Sequence, residues 1–503
     1  MAILTECALL DALIIFSSLF AMLYSWMKWK HTYWQRRGVP TLPAHWFFGH
    51  FKDAMLLRRP AGGVLSELHQ EAGESDVLGI YILHKPFLLL RNPELIKQIM
   101  IKDFHLFTNH HFRGASNSDN VSKWSLFSIR NPEWKYLRSK MSPVFTSGKL
   151  KSLFVLMQES GEKMRDHLLD QIGDKSNVPI TVKDTFYMYT TDVISSVAFG
   201  IRINCFDKEP PEFYVNSRKA FVVSLKRAVQ FFFLFFLPNI GKHVGASMLG
   251  KYTDYFRKIF WESMDNRSIT KTKRGDLIDS LLQLKNEKPD NTNIRFEGDA
   301  LFAQAGIFFA AGRETSITTM TCALFELAKQ PEMQKRLREE ILKTIKDANG
   351  VTYEAVHNMK YLHQVINETL RFHPPAPLLD RVPSTDYTFP GTKITIEKDT
   401  PVYVILRGIQ SDPRYYREPT RFDPERFSDE RKDEIVPCTF LPFGEGPRNC
   451  IGLRLGTLQT AVGLIAILRD YEVSLNPAWK SPLDPRNVFT SPPAGFLLNF
   501  KKA

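Results

Sequence analysis

Cysteine is scarce in this chain: Cys7, Cys205, Cys322, Cys438 and Cys450 lie far apart in 503 residues. An odd number with no C-x-x-C pair excludes a disulfide framework and a zinc knuckle, and it fits a reducing compartment. Gly/Ser linkers, low-complexity tracts and repeats with a period of about 20 to 50 residues are also missing, which excludes arrays and solenoids. A prior of about 150 residues per domain suggests three domains, yet beyond Trp46 no break in composition divides the chain. The expectation is one large domain. Basic runs are equally rare. The net charge of +12 is scattered, with tight clusters only at KWKHTYWQRR (28–37) and KTKR (271–274). Such scatter argues against nucleic acid and for anionic lipid and an acidic protein partner.

Long apolar runs are almost as few. Residues 8–27 (ALLDALIIFSSLFAMLYSWM) hold 16 apolar residues in 20, enough for a bilayer core of about 30 Å. Glu6 and Asp11 precede most of this run while Lys28, Lys30, Arg36 and Arg37 follow it, the reverse of a cleaved signal peptide. Residues 1–27 therefore read as a transmembrane anchor that leaves the N-terminus outside and the remaining chain in the cytosol. Pro40 and Pro43 forbid a continuing helix, so 28–45 reads as a basic, proline-containing hinge and 46–503 as the domain. A second run, QFFFLFFL (230–237), is too short to span a bilayer and stops at Pro238. It is either a buried helix end or a patch dipping into the membrane, through which apolar substrates pass.

Periodicity predicts amphipathic helices over 220–229, 299–329, 331–348 and 453–470. Alternation predicts strands within 77–90 and 400–406. The class is mainly α with small β-sheets.

Within this frame the loop FGEGPRNCIG (443–452) sets Cys450 among bare backbone. A lone loop cysteine is ordinarily a small buried hydrophobe. Here Phe443, Gly446, Arg448, Cys450 and Gly452 match F-x-x-G-x-R-x-C-x-G at every defined position, and the loop resembles the haem-ligand loop of the cytochrome P-450 superfamily. The resemblance makes Cys450 the thiolate ligand of a haem b iron. Glycines such as Gly444, Gly446 and Gly452 let backbone amides approach the sulfur, and a helix starting near Ile451 would lower the thiol pKa. Thiolate ligation favours O–O cleavage.

Three further motifs fit the same family. In ETLR, Glu368 and Arg371 are spaced i,i+3, a pair that by itself contributes only about 0.2 to 0.5 kcal/mol. With Arg426 of PERF, the resemblance makes them a buried triad that serves folding and haem retention. In WKYLR, Trp134 and Arg138 lie one turn apart, and in the family this pair contacts a haem propionate. With Arg448 and Arg381 of LLDRVP this gives three guanidiniums for two propionates. The fourth motif is AAGRETS (310–316), inside the long apolar helix, where a glycine, an acid and a threonine are costly. Alone it reads as a kink with a satisfied polar pair. It resembles the oxygen-activation motif, with Ala311, Gly312 and Thr315 in its defined positions and Glu314 before the threonine. Gly312 and Thr315 permit a local opening of the helix ladder, which leaves room for a water that can supply protons. Thr315 would orient that water and Glu314 would relay the proton, a contribution of about 10² to 10⁴ in rate. Arg313 departs from the apolar or aromatic residue of many relatives. It either faces away and pairs with an acid, or faces Glu314 and alters proton delivery.

The likeness covers essentially the whole chain. SPVFTSGKLK (142–151), AGRETS and YYREPTRFDPERF (415–427) look most similar to insect microsomal family-six members. That implies insertion of one atom of O2 into a lipophilic small molecule such as a xenobiotic, plant toxin, insecticide or endogenous lipid. Electrons would come from NADPH through a membrane-bound cytochrome P-450 reductase, with cytochrome b5 as a second possible partner, at the endoplasmic reticulum. The reductase's acidic face would meet a basic surface. Pocket walls expected by alignment are Leu126, Phe127, Phe308, Leu378, Leu379, Phe489 and Thr490, mostly apolar as a lipophile requires. The alternatives are a haem-thiolate isomerase or dehydratase that rearranges peroxides without a reductase, and a non-catalytic haem or lipophile carrier. Glu314 and Thr315 argue against both.

Overall fold

The computed structural model describes residues 7–114, 119–222, 224–287, 296–479, 484–487 and 496–503. Its first helix, Ala8–Lys30, leaves apolar side chains such as Leu9, Phe16 and Leu19 exposed. Only Ala8–Arg37 is long and apolar enough to cross a membrane among the described residues. The segment after it is pinned to the body. Trp34 is fully buried, donates from Nε1 to Ile80 O at 3.1 Å, and lies where a side chain on Gly79 would overlap its indole.

The predicted 77–90 strand is a hairpin, β1 (Val77–Ile82) and β2 (Lys85–Leu90), turned at Leu83 with φ +52°. β3 is Val178–Thr181, β4 Leu378–Arg381, β5 Tyr387–Thr388, β6 Thr395–Ile396, β7 Val402–Ile405, β8 Tyr471–Leu475 and β9 Leu497–Lys502. They form sheets in the orders β1-β2-β7-β4, β3-β9-β8 and β5-β6, with β2 and β7 parallel and the other pairs antiparallel. Within the predicted 400–406 strand, β7 is fully buried, and at Leu406 the chain turns into a short helix, Leu406–Gln410. Strands buried on both faces read as apolar runs, which is the pattern of VYVI.

Helices make up most of the molecule. The central one, Asp299–Lys329, keeps its predicted bounds and is buried around most of its circumference. A helix hydrophobic all round belongs in the middle of a bundle. It packs against Val182–Phe199 and Leu453–Leu468, and the latter packs in turn on Ser147–Ile172. Close approach of the central and terminal helices depends on Gly463, where a Cβ would overlap Met320 Sδ and press on Tyr189. The predicted 331–348 helix is Pro331–Asp347, and the 453–470 helix ends at Leu468.

One predicted helix is corrected. Residues 220–229 are not continuous, because Glu212–Ala220 ends before a break and a new helix, Leu225–Phe236, starts with Ser224 capping Arg227 N at 3.3 Å. A serine side chain that takes the first free amide starts a helix, and periodicity alone runs across such a boundary. In that helix Phe232, Leu234 and Phe236 are buried; Phe236 meets Phe51 at 5.1 Å between ring centroids. Leu225 and Val229 stay exposed.

Candidate active site

The loop carrying Cys450 is shaped by two glycines with positive φ, Gly444 at +73° and Gly446 at +72°. A side chain at Gly446 would overlap the Met100 carbonyl, so the loop closes down on the 98–102 turn. Cys450 N then donates to Phe443 O at 2.7 Å. Phe443 packs on the main core. The terminal helix begins at Leu453, two residues past Ile451, and the amide of its N-cap residue Gly452 is its contribution to the thiol. The net direction differs from the sequence expectation. Burial pushes the Cys450 thiol up, and the Gly452 amide and the Arg138 charge only partly oppose it. Desolvation of a thiolate inside protein outweighs one donor and one cation. Although set deep in protein, Cys450 is exposed, so its sulfur opens onto an internal space.

Arginines gather beside this loop. Arg448 is buried and donates to the carbonyls of Thr108, Phe127 (3.0 Å) and Ile129 (2.9 Å), with the Trp134 ring 4.8 Å from its Cζ. Arg138 donates to Asn449 O at 2.8 Å and Asn449 Oδ1 at 3.0 Å, which holds the residue next to the cysteine. Arg381, on β4, donates to Asp380 O at 2.7 Å and lies 3.4 Å from His110 Nδ1. His110, stacked on Phe127 with centroids 4.5 Å apart, shares a 2.7 Å contact with Asp380 Oδ1. Burial lowers Arg381 to about 10 and Arg448 well below its usual range, the latter also through repulsion from Arg381. Asp380 is the carboxylate acting on both, and none acts on Arg138 among the described residues.

These residues fit the haem that the family resemblance implies. A buried cluster with more cations than carboxylates is costly unless an anion joins it. Buried Arg448 Nε and Arg381 Nε have no hydrogen-bond partner among the described residues. Propionates are such anions, and an open sulfur at depth suits an iron that ionises it.

The central helix presents a stripe to the interior. Ile307, Phe308, Gly312 and Thr315 are partly exposed and Ala311 is exposed, on a helix otherwise mostly buried. Phe308 stacks on Phe145 at 5.4 Å, and Phe145 borders Gly452, which links the stripe to the cysteine loop. Thr315 Oγ1 donates to Ala311 O at 2.7 Å, the hydroxyl-to-carbonyl bond that the motif suggests. The helix nevertheless stays α-helical through 310–316, so the expected opening of its ladder is not present. Gln459 reaches over from the terminal helix to Gly312 O at 3.3 Å. Arg313 is fully buried and does turn to Glu314, with Nη2 3.3 Å from Oε1.

Behind the loop, Arg371 forms a two-point pair with Glu368, at 2.7 and 2.8 Å, and Arg426 Nε stands 3.6 Å from the same carboxylate. The helix carrying Glu368 and Arg371, Lys360–Phe372, stops just before Pro374 and Pro375, and Arg426 comes from the Pro424–Phe427 turn. Sequence reasoning missed Gln410, whose amide donates to Leu370 O and Arg371 O and accepts from Leu441 N at 3.0 Å, fastening the cysteine segment to that helix. It also missed Gln304, which holds Trp124 O at 2.7 Å and Leu126 N at 2.8 Å and so positions the expected pocket wall, and His110. The adjacent pair His110-His111 was the one available signal. Of that wall, Leu126 is buried, Phe127, Phe308, Leu378 and Leu379 are partly exposed, and Phe489 and Thr490 lie outside the described residues.

A profile of the family described as Cytochrome P-450 matches residues 39–500. The chain is 40% identical to cytochrome P-450 6k1 of Blattella germanica, with 100% of this chain and 99% of that protein covered. It is 35% identical to the probable cytochrome P-450 6g2 of Drosophila melanogaster, with 97% of each covered.

Proposed function

We propose, from the premise that this chain belongs to the cytochrome P-450 family and is a haem monooxygenase, that it inserts one atom of O2 into a lipophilic small molecule. Its reducing equivalents would come from NADPH through a membrane-bound flavoprotein reductase, with cytochrome b5 as a second donor. The observation that carries this reading is Cys450, open at depth and joined through Phe145 to the Ala311–Thr315 stripe. Bound haem supplies the activation of dioxygen, for which a thiolate ligand is suited.

The chain's own residues do the rest. Cys450 would be the metal ligand, with the Gly452 amide donating to sulfur. Arg381, Arg448 and Arg138 would hold the propionates, with Trp134 backing Arg448. Because Thr315 gives its proton to Ala311 O, its oxygen is left as an acceptor that can hold a water. Glu314, one residue earlier, would recharge that water. Glu368, Arg371 and Arg426 would hold the segment behind the loop. Leu126, Phe127, Phe308, Leu378 and Leu379 would exclude bulk water from an apolar substrate.

The exposed apolar helix followed by Lys28, Lys30, Arg36 and Arg37 supports a single-pass anchor over residues 1–27 in the endoplasmic reticulum, with the hinge at 28–45 and the catalytic domain of 46–503 in the cytosol. Exposed Leu225 and Val229 would rest near the bilayer surface.

Turnover of a panel of lipophilic compounds in reductase-supplemented membranes tests the reaction. Product formation that depends on NADPH is expected, and product that needs neither NADPH nor reductase would favour an isomerase. Cys450→Ser should abolish the thiolate-type spectrum of the reduced carbon monoxide complex. Thr315→Ala should keep the haem but divert electrons to peroxide; unchanged coupling would remove Thr315 from the relay.

A further inference from the structure

Arg313 is an expensive residue in an unusual place. Its side chain is 0% exposed, and its Cζ lies 4.6 Å from the Phe221 ring centroid, 4.9 Å from Phe309 and 5.1 Å from Tyr187. Two of its nitrogens, Nε and Nη1, have no partner among the described residues. A guanidinium buried this way is tolerated only where a carboxylate and aromatic faces offset its desolvation. The carboxylate is Glu314, whose Oε1 lies 3.3 Å from Arg313 Nη2.

A second donor falls on the same atom. Tyr187, on the Val182–Phe199 helix, donates its hydroxyl to Glu314 Oε1 at 2.5 Å. Burial and the nearby carboxylate push that phenol well above its ordinary pKa, so it stays a donor. Both contacts are thus on Oε1. Among the described residues Oε2 takes no hydrogen bond and is not among the buried unpaired atoms, and the Glu314 side chain keeps 18% of its surface. One carboxylate oxygen is clamped and the other is open. Successive helical residues point about 100° apart, so Glu314 does not share Thr315's direction. It can serve water at Thr315 only through the oxygen left open.

We infer that Arg313 and Tyr187 are positioning residues that clamp Oε1 of Glu314 and leave Oε2 as the single atom from which protons reach Thr315. The clamp thereby sets how oxygen reduction divides. In the productive branch, RH + O2 + NADPH + H+ give ROH + H2O + NADP+. In the unproductive branch, O2 + NADPH + H+ give H2O2 + NADP+. A carboxylate free to rotate would deliver protons less directionally and shift turnover toward peroxide. This inference rests on the monooxygenase reading above.

The test uses full-length protein in membranes with reductase and a turned-over lipophile. Tyr187→Phe keeps the ring beside Arg313 and removes only the hydroxyl. It should raise peroxide formed per NADPH on the order of tenfold, less than the roughly 10²- to 10⁴-fold assigned to a positioned acid itself, with haem content and the carbon monoxide spectrum unchanged. Arg313→Leu should act in the same direction. In a Glu314→Gln background neither substitution should change the peroxide ratio further, and their effects on thermal unfolding should be non-additive with Glu314→Gln. Parental coupling in Tyr187→Phe, or additive effects in both backgrounds, would overturn the clamp. Failure of the parent to consume NADPH with any lipophile would instead sink the monooxygenase substrate reading, so the two failures are distinguishable.

Discussion

Two clusters of buried arginine lie in this molecule and are built on opposite principles. Around Glu368, two guanidiniums share a carboxylate, and Arg371 also meets the carbonyls of Gln410, Pro419 and Arg421. Beside Cys450, among the described residues, Arg448, Arg381 and Arg138 have the single carboxylate Asp380 near two of their number, and Arg448 Nε and Arg381 Nε have no hydrogen-bond partner. In the first cluster Glu368 and Asp423 both act on Arg426, so carboxylates match guanidiniums, with Arg426 Nε alone lacking a hydrogen-bond partner among the described residues. The second carries positive charge that an added anion would balance. Charge balance, more than the presence of arginine, separates a structural cluster from one suited to a ligand.

The largest expected effect breaks the balanced cluster. Glu368→Ala strands Arg371 and Arg426 in the interior and should cost about 3 to 5 kcal/mol, read as loss of folded protein or a large drop in denaturation midpoint. Arg448→Ala removes the donor to the Thr108, Phe127 and Ile129 carbonyls and should lower stability by less than Glu368→Ala does, while haem affinity falls by about 2 kcal/mol or more. Equal losses of fold in both variants would erase the distinction.

Acid should separate the clusters by a smaller amount. Burial pushes Glu368 above its usual value despite Arg371, so the folded protein binds that proton before the unfolded chain does. Relative to a Glu368→Gln variant, the parent therefore loses stability as pH rises through the folded pKa and regains it on acidification. At Asp380 burial is outweighed by His110 and Arg381, which hold the carboxyl well below its usual value. Its stabilisation is present above an unfolded pKa of about 3.9 and is lost only as pH falls through the folded value. On acidification from pH 7 towards pH 5 the gap between parent and Glu368→Gln should move in the parent's favour, while the gap to Asp380→Asn stays constant. Thermal midpoints of all three at both pH values check this. The smallest effect is at Trp134, where Trp134→Phe keeps an aromatic ring in the core but weakens the face behind Arg448 and should cost about 0.5 to 1 kcal/mol through that contact.

Much of this was legible in the sequence, for a physical reason. Glu368 with Arg371, Trp134 with Arg138, and Ala311 with Thr315 are pairs within one helix, where spacing fixes which side chains share a face. What sequence could not show is how distant segments settle against each other. Gln410 and Gln304 are single amides whose long-range partners lie 31 to 180 residues away along the chain. Arg138 bonds Asn449, 311 residues away along the chain. The thiol's net shift depended on burial, which a motif does not measure. The break before Leu225 turned on one serine cap that apolar periodicity runs across.

Trp34 and Gly79 meet in the first sheet, the indole occupying the space that a side chain at position 79 would need. The two positions are consequently bound in inheritance. A lineage of this sequence that gains any side chain at 79 has to shrink residue 34 at the same time or unseat the segment that leads from the first helix. An enlarged Gly79→Val protein should therefore be rescued by Trp34→Ala and by few changes elsewhere.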